Sequence, residues 1–142
     1  MKCFCASTRH AARLLTRHYE EQLRPADVTP AQFELLGMLS SRSNLSQSEI
    51  AQTLSLDQTT LSRNLKILIE REWVTRSASL QDSRRVVYMI SEKGKAVFRQ
   101  ALPLWRRAQA GIEHTLGSER EAVWSTLNRL IGVLRQQEKT AP

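Results

Sequence analysis

The stretch from Ser46 to Trp73 constrains this chain most, because it holds two helix starts in close succession with room only for a tight turn between them. Ser46 and Glu49 make the S-x-x-E pattern of a capping box, in which hydroxyl and carboxylate each satisfy a helix-start N–H that has no partner inside the helix. The helix beginning at Gln47 has Ile50, Ala51 and Leu54 on its apolar side. Ser55-Leu56 then leads to Asp57, a strong N-cap for a second helix. That helix repeats Leu61, Leu65, Leu68 and Ile69 at i, i+4, i+7 and i+8. The opposite side is centred on Thr59, Arg63 and Lys66, with Thr60 and Ser62 on its flanks. Two readings fit: an αα-hairpin with a solvated polar face, or a helix-turn-helix whose second helix enters the major groove of DNA. In the second, Arg63 forks onto guanine N7 and O6, the threonine methyls meet thymine methyls, and Lys66 or the hydroxyls hold phosphates.

The segment after Trp73 shifts the balance toward the second. Val74-Thr75-Arg76 and Val86-Val87-Tyr88-Met89-Ile90 are rich in β-branched and aromatic residues and flank a polar loop, which predicts a β-hairpin. Its tip, near Gln81-Asp82-Ser83-Arg84-Arg85, carries two adjacent arginines. A hairpin directly after a recognition helix is a wing, placed to lay Arg84 or Arg85 over the backbone or into the minor groove. The alternative is a surface hairpin with solvated arginines. The charge balance of the 142-residue chain, 21 Lys plus Arg against 14 Asp plus Glu for a formal +7, favours a polyanionic partner. Charge alone does not choose between nucleic acid and an anionic membrane surface. No run approaches transmembrane length, and Met1-Lys2-Cys3-Phe4-Cys5 meets Arg9 and His10 rather than an apolar signal region, so the expected location is cytoplasmic, with no membrane association.

An enzyme is the competing class. The sequence has no glycine-rich phosphate loop or nucleophile elbow, and His10, His18 and His114 stand in no triad-like arrangement, so no catalytic residue, metal or cofactor is expected.

On either side of this block the chain is helical. Ala6 to Arg24 carries Ala11, Leu15, Tyr19 and Leu23 on one stripe and Arg9, Arg13 and Arg17 on another, and Pro25 stops it. Thr29 caps the next helix, with Pro30 at its first position and Phe33, Leu35, Leu36 and Leu39 on its buried side. Ser91 caps a long helix in which Val97, Ala101, Leu104, Ala108 and Ile112 repeat, and Pro103 is expected to bend it. Gly117 ends it as a left-handed cap, and Ser118 with Glu121 opens a last helix over 119–137 bearing Val123, Leu127, Leu130, Ile131 and Leu134. The tail from Gln136 to Pro142 is expected to fray. The expected architecture is mainly α with a small β-hairpin wing. An N-terminal arm and dimerisation helix occupy 1–28, a winged helix-turn-helix DNA-binding domain 29–91, and C-terminal dimerisation helices 92–142. The apolar stripes at both ends need a second surface, which a homodimer supplies, and a two-fold protein reads a two-fold site on double-stranded promoter DNA.

The order of elements, together with Thr29-Pro30-Ala31-Gln32-Phe33, Leu56-Asp57-Gln58-Thr59-Thr60-Leu61-Ser62-Arg63, Asp82-Ser83-Arg84 and Ile90-Ser91-Glu92-Lys93-Gly94, resembles the multiple-antibiotic-resistance regulator (MarR) family of winged-helix transcription factors. The resemblance runs over nearly the whole chain. It implies a homodimer that binds a near-palindromic operator, commonly as a repressor, and that lets go when a small aromatic or phenolic ligand binds or a cysteine is oxidised. It also implies that Thr59, Thr60, Ser62, Arg63 and Lys66 face the major groove and that Arg84 enters the minor groove, braced by Asp82. The chain departs from the family pattern in the wing, where Ser79-Leu80-Gln81 stands in place of a first D-x-R unit, and at Ser91, where Thr is frequent.

The resemblance places an effector between the dimerisation helices and the DNA-binding lobe. The candidates there are His10, Arg13, Arg17 and Trp105, an arginine pairing with a ligand carboxylate and the tryptophan stacking on its ring, or else solvated bases and a core tryptophan. Cys3 and Cys5 offer a different switch: oxidation that cross-links subunits or displaces the N-terminal arm. They are otherwise inert thiols or, with His10 or His18, metal ligands. A DNA-binding dimer with no effector, acting architecturally, is the remaining alternative.

Overall fold

The computed structural model describes residues 2–79, 82 and 84–140, the last two as backbone only. Among the described residues the elements are α1 (Phe4–Leu23), a 3-10 turn (Arg24–Ala26), α2 (Pro30–Ser41), α3 (Gln47–Leu54), α4 (Gln58–Glu70), β1 (Val74–Ala78), β2 (Val86–Ile90), α5 (Glu92–Leu116), a second 3-10 turn (Gly117–Glu119) and α6 (Arg120–Thr140). The fold is mainly helical with a two-stranded antiparallel wing. Contacts divide the chain into two compact units, 1–106 and 107–142. No described helix is long and apolar enough to cross a membrane.

In the first unit, local chemistry sets each boundary. Thr29 and Gln32 form a reciprocal capping box: the Thr29 hydroxyl accepts from the Gln32 N–H at 3.2 Å and the Gln32 side-chain oxygen accepts from the Thr29 N–H at 3.0 Å. That pairing satisfies Gln32, which is buried. Ser46 and Glu49 repeat the motif at the start of α3. The α3–α4 turn closes through Ser55, a left-handed residue at φ 52°, and Asp57 then caps α4 by accepting from the Thr60 N–H at 2.8 Å. Beneath α4, Leu61, Leu65 and Leu68 are all but fully buried, each worth about 1.5–3 kcal/mol relative to an exposed position.

β1 and β2 pair from Val74↔Ile90 to Ala78↔Val86. Leu45 adds a bridge to Tyr88, whose N–H donates to the Leu45 carbonyl at 2.8 Å, so the wing is anchored just ahead of α3. At the far end the Ser91 N–H donates to the Trp73 carbonyl at 3.0 Å, and the Ser91 hydroxyl accepts from the Gly94 N–H at 2.9 Å and donates to the Glu72 carbonyl at 2.6 Å. Gly94 is required there, because a Cβ would stand 2.1 Å from the Trp73 carbonyl oxygen. Arg71 closes the same corner, lying 4.7 Å over the Trp73 ring and donating at 2.9 Å to both the carbonyl and the carboxylate of Asp27.

Several boundaries differ from the sequence reading. α1 starts at Phe4 rather than Ala6, with Cys3 as an N-cap that makes no side-chain cap bond. Pro25 ends the α-helix, but the chain tightens into a 3-10 turn closed by Asp27 at φ 52°. On the α1 stripe Leu23 is buried and Tyr19 half-buried, while Ala11 and Leu15 are exposed. α5 runs through Pro103 as one helix, and the boundary between units falls a turn later. Gly117 takes the left-handed conformation expected of it, at φ 54°. Ser118 lies inside a 3-10 turn instead of opening α6, because φ > 0 at Gly117 followed by that turn delays the helix to Arg120. The segment expected to fray from Gln136 is helical to Thr140, as helix-favouring Arg, Gln, Glu and Lys allow.

In the second unit α6 leaves Trp124, Leu127, Ile131, Val133 and Leu134 each 40–51% exposed. In the first unit α1 leaves Phe4, Leu14 and Leu15 exposed as well.

Candidate nucleic-acid interface

α4 presents its polar side to solvent because Leu61, Leu65 and Leu68 hold its other side down. Thr59, Ser62, Arg63 and Lys66 line an open concavity together with Gln47 and Gln58. Four of the five recognition residues read from periodicity are therefore on one surface. The fifth, Thr60, is exposed but engaged, its hydroxyl donating to the Asp57 carboxylate at 2.6 Å as part of the cap. Those bonds hold the Asp57 carboxyl below its ordinary pKa. Arg63 has no hydrogen-bond or ion-pair partner among the described residues, and Lys66 is only loosely paired with Glu70 at 3.8 Å. Both cations are available to an anion.

The sequence reading missed Gln47 and Gln58. Gln58 was within reach of periodicity, since 58, 62 and 66 form one helical row. Gln47 was not, because it arrives from α3. It donates to the Gln58 side-chain oxygen at 3.1 Å and accepts from the Tyr88 hydroxyl at 3.3 Å, joining α4, α3 and the wing.

In the wing, Asp82 shapes the backbone: its carboxylate accepts from the Arg84 N–H at 2.9 Å and its carbonyl from the Arg85 N–H at 3.0 Å. Bonds of this kind form an Asx turn. The Arg84 side chain is exposed and has no partner among the described residues. Arg85 instead turns back and pairs with Glu49 on α3. The Ser46 backbone N–H foremost, then the Arg85 guanidinium, lowers the Glu49 carboxyl to a pKa of about 2. Ser83 and the Leu80-Gln81 part of the missing first D-x-R unit lie outside the described residues.

A second concavity, a cavity of about 670 Å³, lies within the first unit between α1, α2 and the first half of α5. Its wall includes Phe33, which stacks on Phe98 (4.9 Å between centroids) and on Trp105 (5.6 Å). Of the four effector candidates only Trp105 lines it. His10, Arg13 and Arg17 are exposed, because the lining side of α1 is that of Thr16 and Tyr19, roughly 90–150° around the helix from them. The cavity's charged group is Glu34, whose carboxyl is raised above its ordinary pKa by desolvation. Cys3 and Cys5 are free and exposed.

A family model described as "MarR family" matches residues 28–86, the span from the turn before α2 to the start of β2. The solved structure of the Mycobacterium tuberculosis transcriptional regulator MosR in complex with DNA is 33% identical, with a TM-score of 0.81, and the match covers 97% of each chain. The Escherichia coli multiple antibiotic resistance protein MarR is 32% identical over 84 residues, 59% of this chain and 58% of that protein. The Bacillus subtilis organic hydroperoxide resistance transcriptional regulator is 25% identical over 127 residues, 89% of this chain and 86% of that protein. With a helix-turn-helix, a wing and long helices at both ends, matched over nearly its full length by a relative of the same fold, the chain belongs to the MarR family of winged helix-turn-helix, DNA-binding transcriptional regulators, a family of regulators and not of enzymes.

Proposed function

We propose that the chain is a cytoplasmic homodimer that represses transcription from a near-palindromic operator. The observation that carries this reading is the pair of unpartnered arginines, Arg63 on the exposed face of α4 and Arg84 on the wing, on one folded unit. Thr59, Ser62, Arg63 and Lys66, with Gln58, face the major groove, and Arg84 enters the adjacent minor groove. Arg85 holds the wing to α3 while Asp82 sets the turn that aims Arg84. That MosR was solved with DNA supports the same docking for this chain. The large apolar side chains left exposed on α1 and, separately, on α6 support self-association, because a second copy of the chain would bury them.

Release from DNA is assigned to a small aromatic or phenolic ligand in the cavity beside Trp105, a volume that suits a drug-sized molecule. Oxidation of Cys3 and Cys5 is the second route. It is favoured by their exposure and by the likeness to a regulator named for organic hydroperoxide resistance.

The test is fluorescence anisotropy of the reduced protein on DNA from immediately upstream of its own gene, against a scrambled duplex, over a range of salt. Tight binding to the native duplex alone supports a specific regulator, and ligands and oxidants are then titrated into the same assay. Equal, steeply salt-dependent binding to both supports the effector-independent architectural alternative.

A further inference from the structure

The cavity also constrains the charge of what it takes. A chain of net charge +7 has bases to offer an anionic ligand, yet among the described residues no Lys, Arg or His lines the cavity. The polar side-chain groups on the wall are the hydroxyls of Thr16 and Tyr19, the indole N–H of Trp105 and the carboxyl of Glu34, the last being the one that carries charge; the other side chains are hydrocarbon, aromatic ring or thioether. Glu34 has no hydrogen-bond or ion-pair partner among the described residues. Its side chain is exposed on one side, yet the surroundings on the cavity side raise its pKa by desolvation, and no cation among the described residues offsets that cost. An anionic aromatic placed here would set its carboxylate on an apolar wall beside a like charge. A protonated amine would supply the missing partner as a charge-assisted hydrogen bond. The stack of Phe98, Phe33 and Trp105 fixes one wall, which suits a flat hydrophobic body.

We infer that the effector of this cavity is a lipophilic arylalkylamine, bound with its ammonium on Glu34 and its ring system along the Phe33–Phe98–Trp105 wall. The inference rests on the reading of this cavity as the effector site. It reverses the charge that His10, Arg13 and Arg17 implied, since those side chains do not line the space.

Three probes of one shape separate the possibilities: 1-naphthylmethylamine, 1-naphthylmethanol and 1-naphthoate, titrated calorimetrically into the full-length protein and into Glu34→Gln. The substitution keeps the shape of a side chain that lies outside the core, and anisotropy on operator DNA checks that each protein is intact. The expected result is a preference for the amine over the naphthoate, a loss of about 10- to 100-fold in amine affinity in Glu34→Gln, and little change for the alcohol. Preference for the naphthoate, or amine binding that Glu34→Gln leaves unchanged, overturns the amine while leaving the cavity a ligand site. Binding of none of the three by a protein that still binds DNA overturns both, as it would if a second copy of the chain filled the space.

Discussion

The recognition surface and the cavity are both concave and both sit on the first unit, yet they are built differently. The recognition surface owes nearly all its side chains to one helix, α4, and its cations are exposed and free of strong partners. The cavity borrows from α1, α2 and α5 and carries an acid on an apolar, aromatic wall. A site on one helix inherits the helical period, so its members can be read from spacing. A site between three helices depends on how each is rotated about its own axis, and a shift of one position along α1 moves a side chain about 100° around it. That is why the α4 residues were found together while three of the four effector candidates fell on the wrong side of α1.

The sharpest way to break this contrast is to remove what holds α4 in place. Leu65→Ala, beneath the helix at 2% exposure, is expected to cost about 2–5 kcal/mol of stability by urea denaturation and to weaken DNA binding with it. A loss well below about 1 kcal/mol would show that α4 is not held down at this position. Arg63→Ala and Arg84→Ala act on the surface alone. Each is expected to cost about 1–3 kcal/mol on operator DNA, far less on random DNA for Arg63, and to leave the melting temperature where it was. Unchanged operator binding in Arg84→Ala would remove the wing from the mechanism.

Trp105→Leu probes the cavity side. Losing the stack on Phe33 is expected to cost about 0.5–1.5 kcal/mol of stability beyond the area lost and to weaken naphthyl probes while ligand-free DNA binding stays intact. A parallel loss of ligand-free DNA binding would mean that the two sites are not separable.

The smallest effect is in the acid limb. Glu49 has its folded pKa lowered from 4.5 to about 2, so its contribution is fully present above about 4.5 and is lost as pH falls toward about 2. Glu49→Gln should therefore lower the melting temperature at pH 7, where the contribution is fully present, converge with the wild type near pH 2, and so flatten the fall over that window. An unaltered acid limb would show that the Arg85 and Ser46 contacts do not persist in solution.

Much of the fold was legible because it is written locally. The Ser46/Glu49 box, the Asp57 cap, Pro30 after Thr29, Gly117 and the switch to β-branched residues at Val74 each act within a few residues of themselves, and each appears where spacing put it. The residues that were missed are of two kinds. Gln47 gains its meaning only from partners on other elements, and Gln58, though on the helical row of Ser62 and Lys66, is joined to it there. Arg85 and Arg84 are neighbours of identical chemistry, and 36 residues of sequence separate Arg85 from the Glu49 that claims it.

The sequence by itself therefore determined the helix-turn-helix, its exposed polar side, the hairpin behind it and the class of protein, because caps, turns and hydrophobic periods are short-range and additive. Only the tertiary structure decided which arginine of the wing is left free, which amides join the recognition surface, and that the cavity holds an acid rather than a base. Those outcomes depend on the rotation and packing of helices far apart in the chain, where a single charged group in a partly desolvated place outweighs the average charge of the whole.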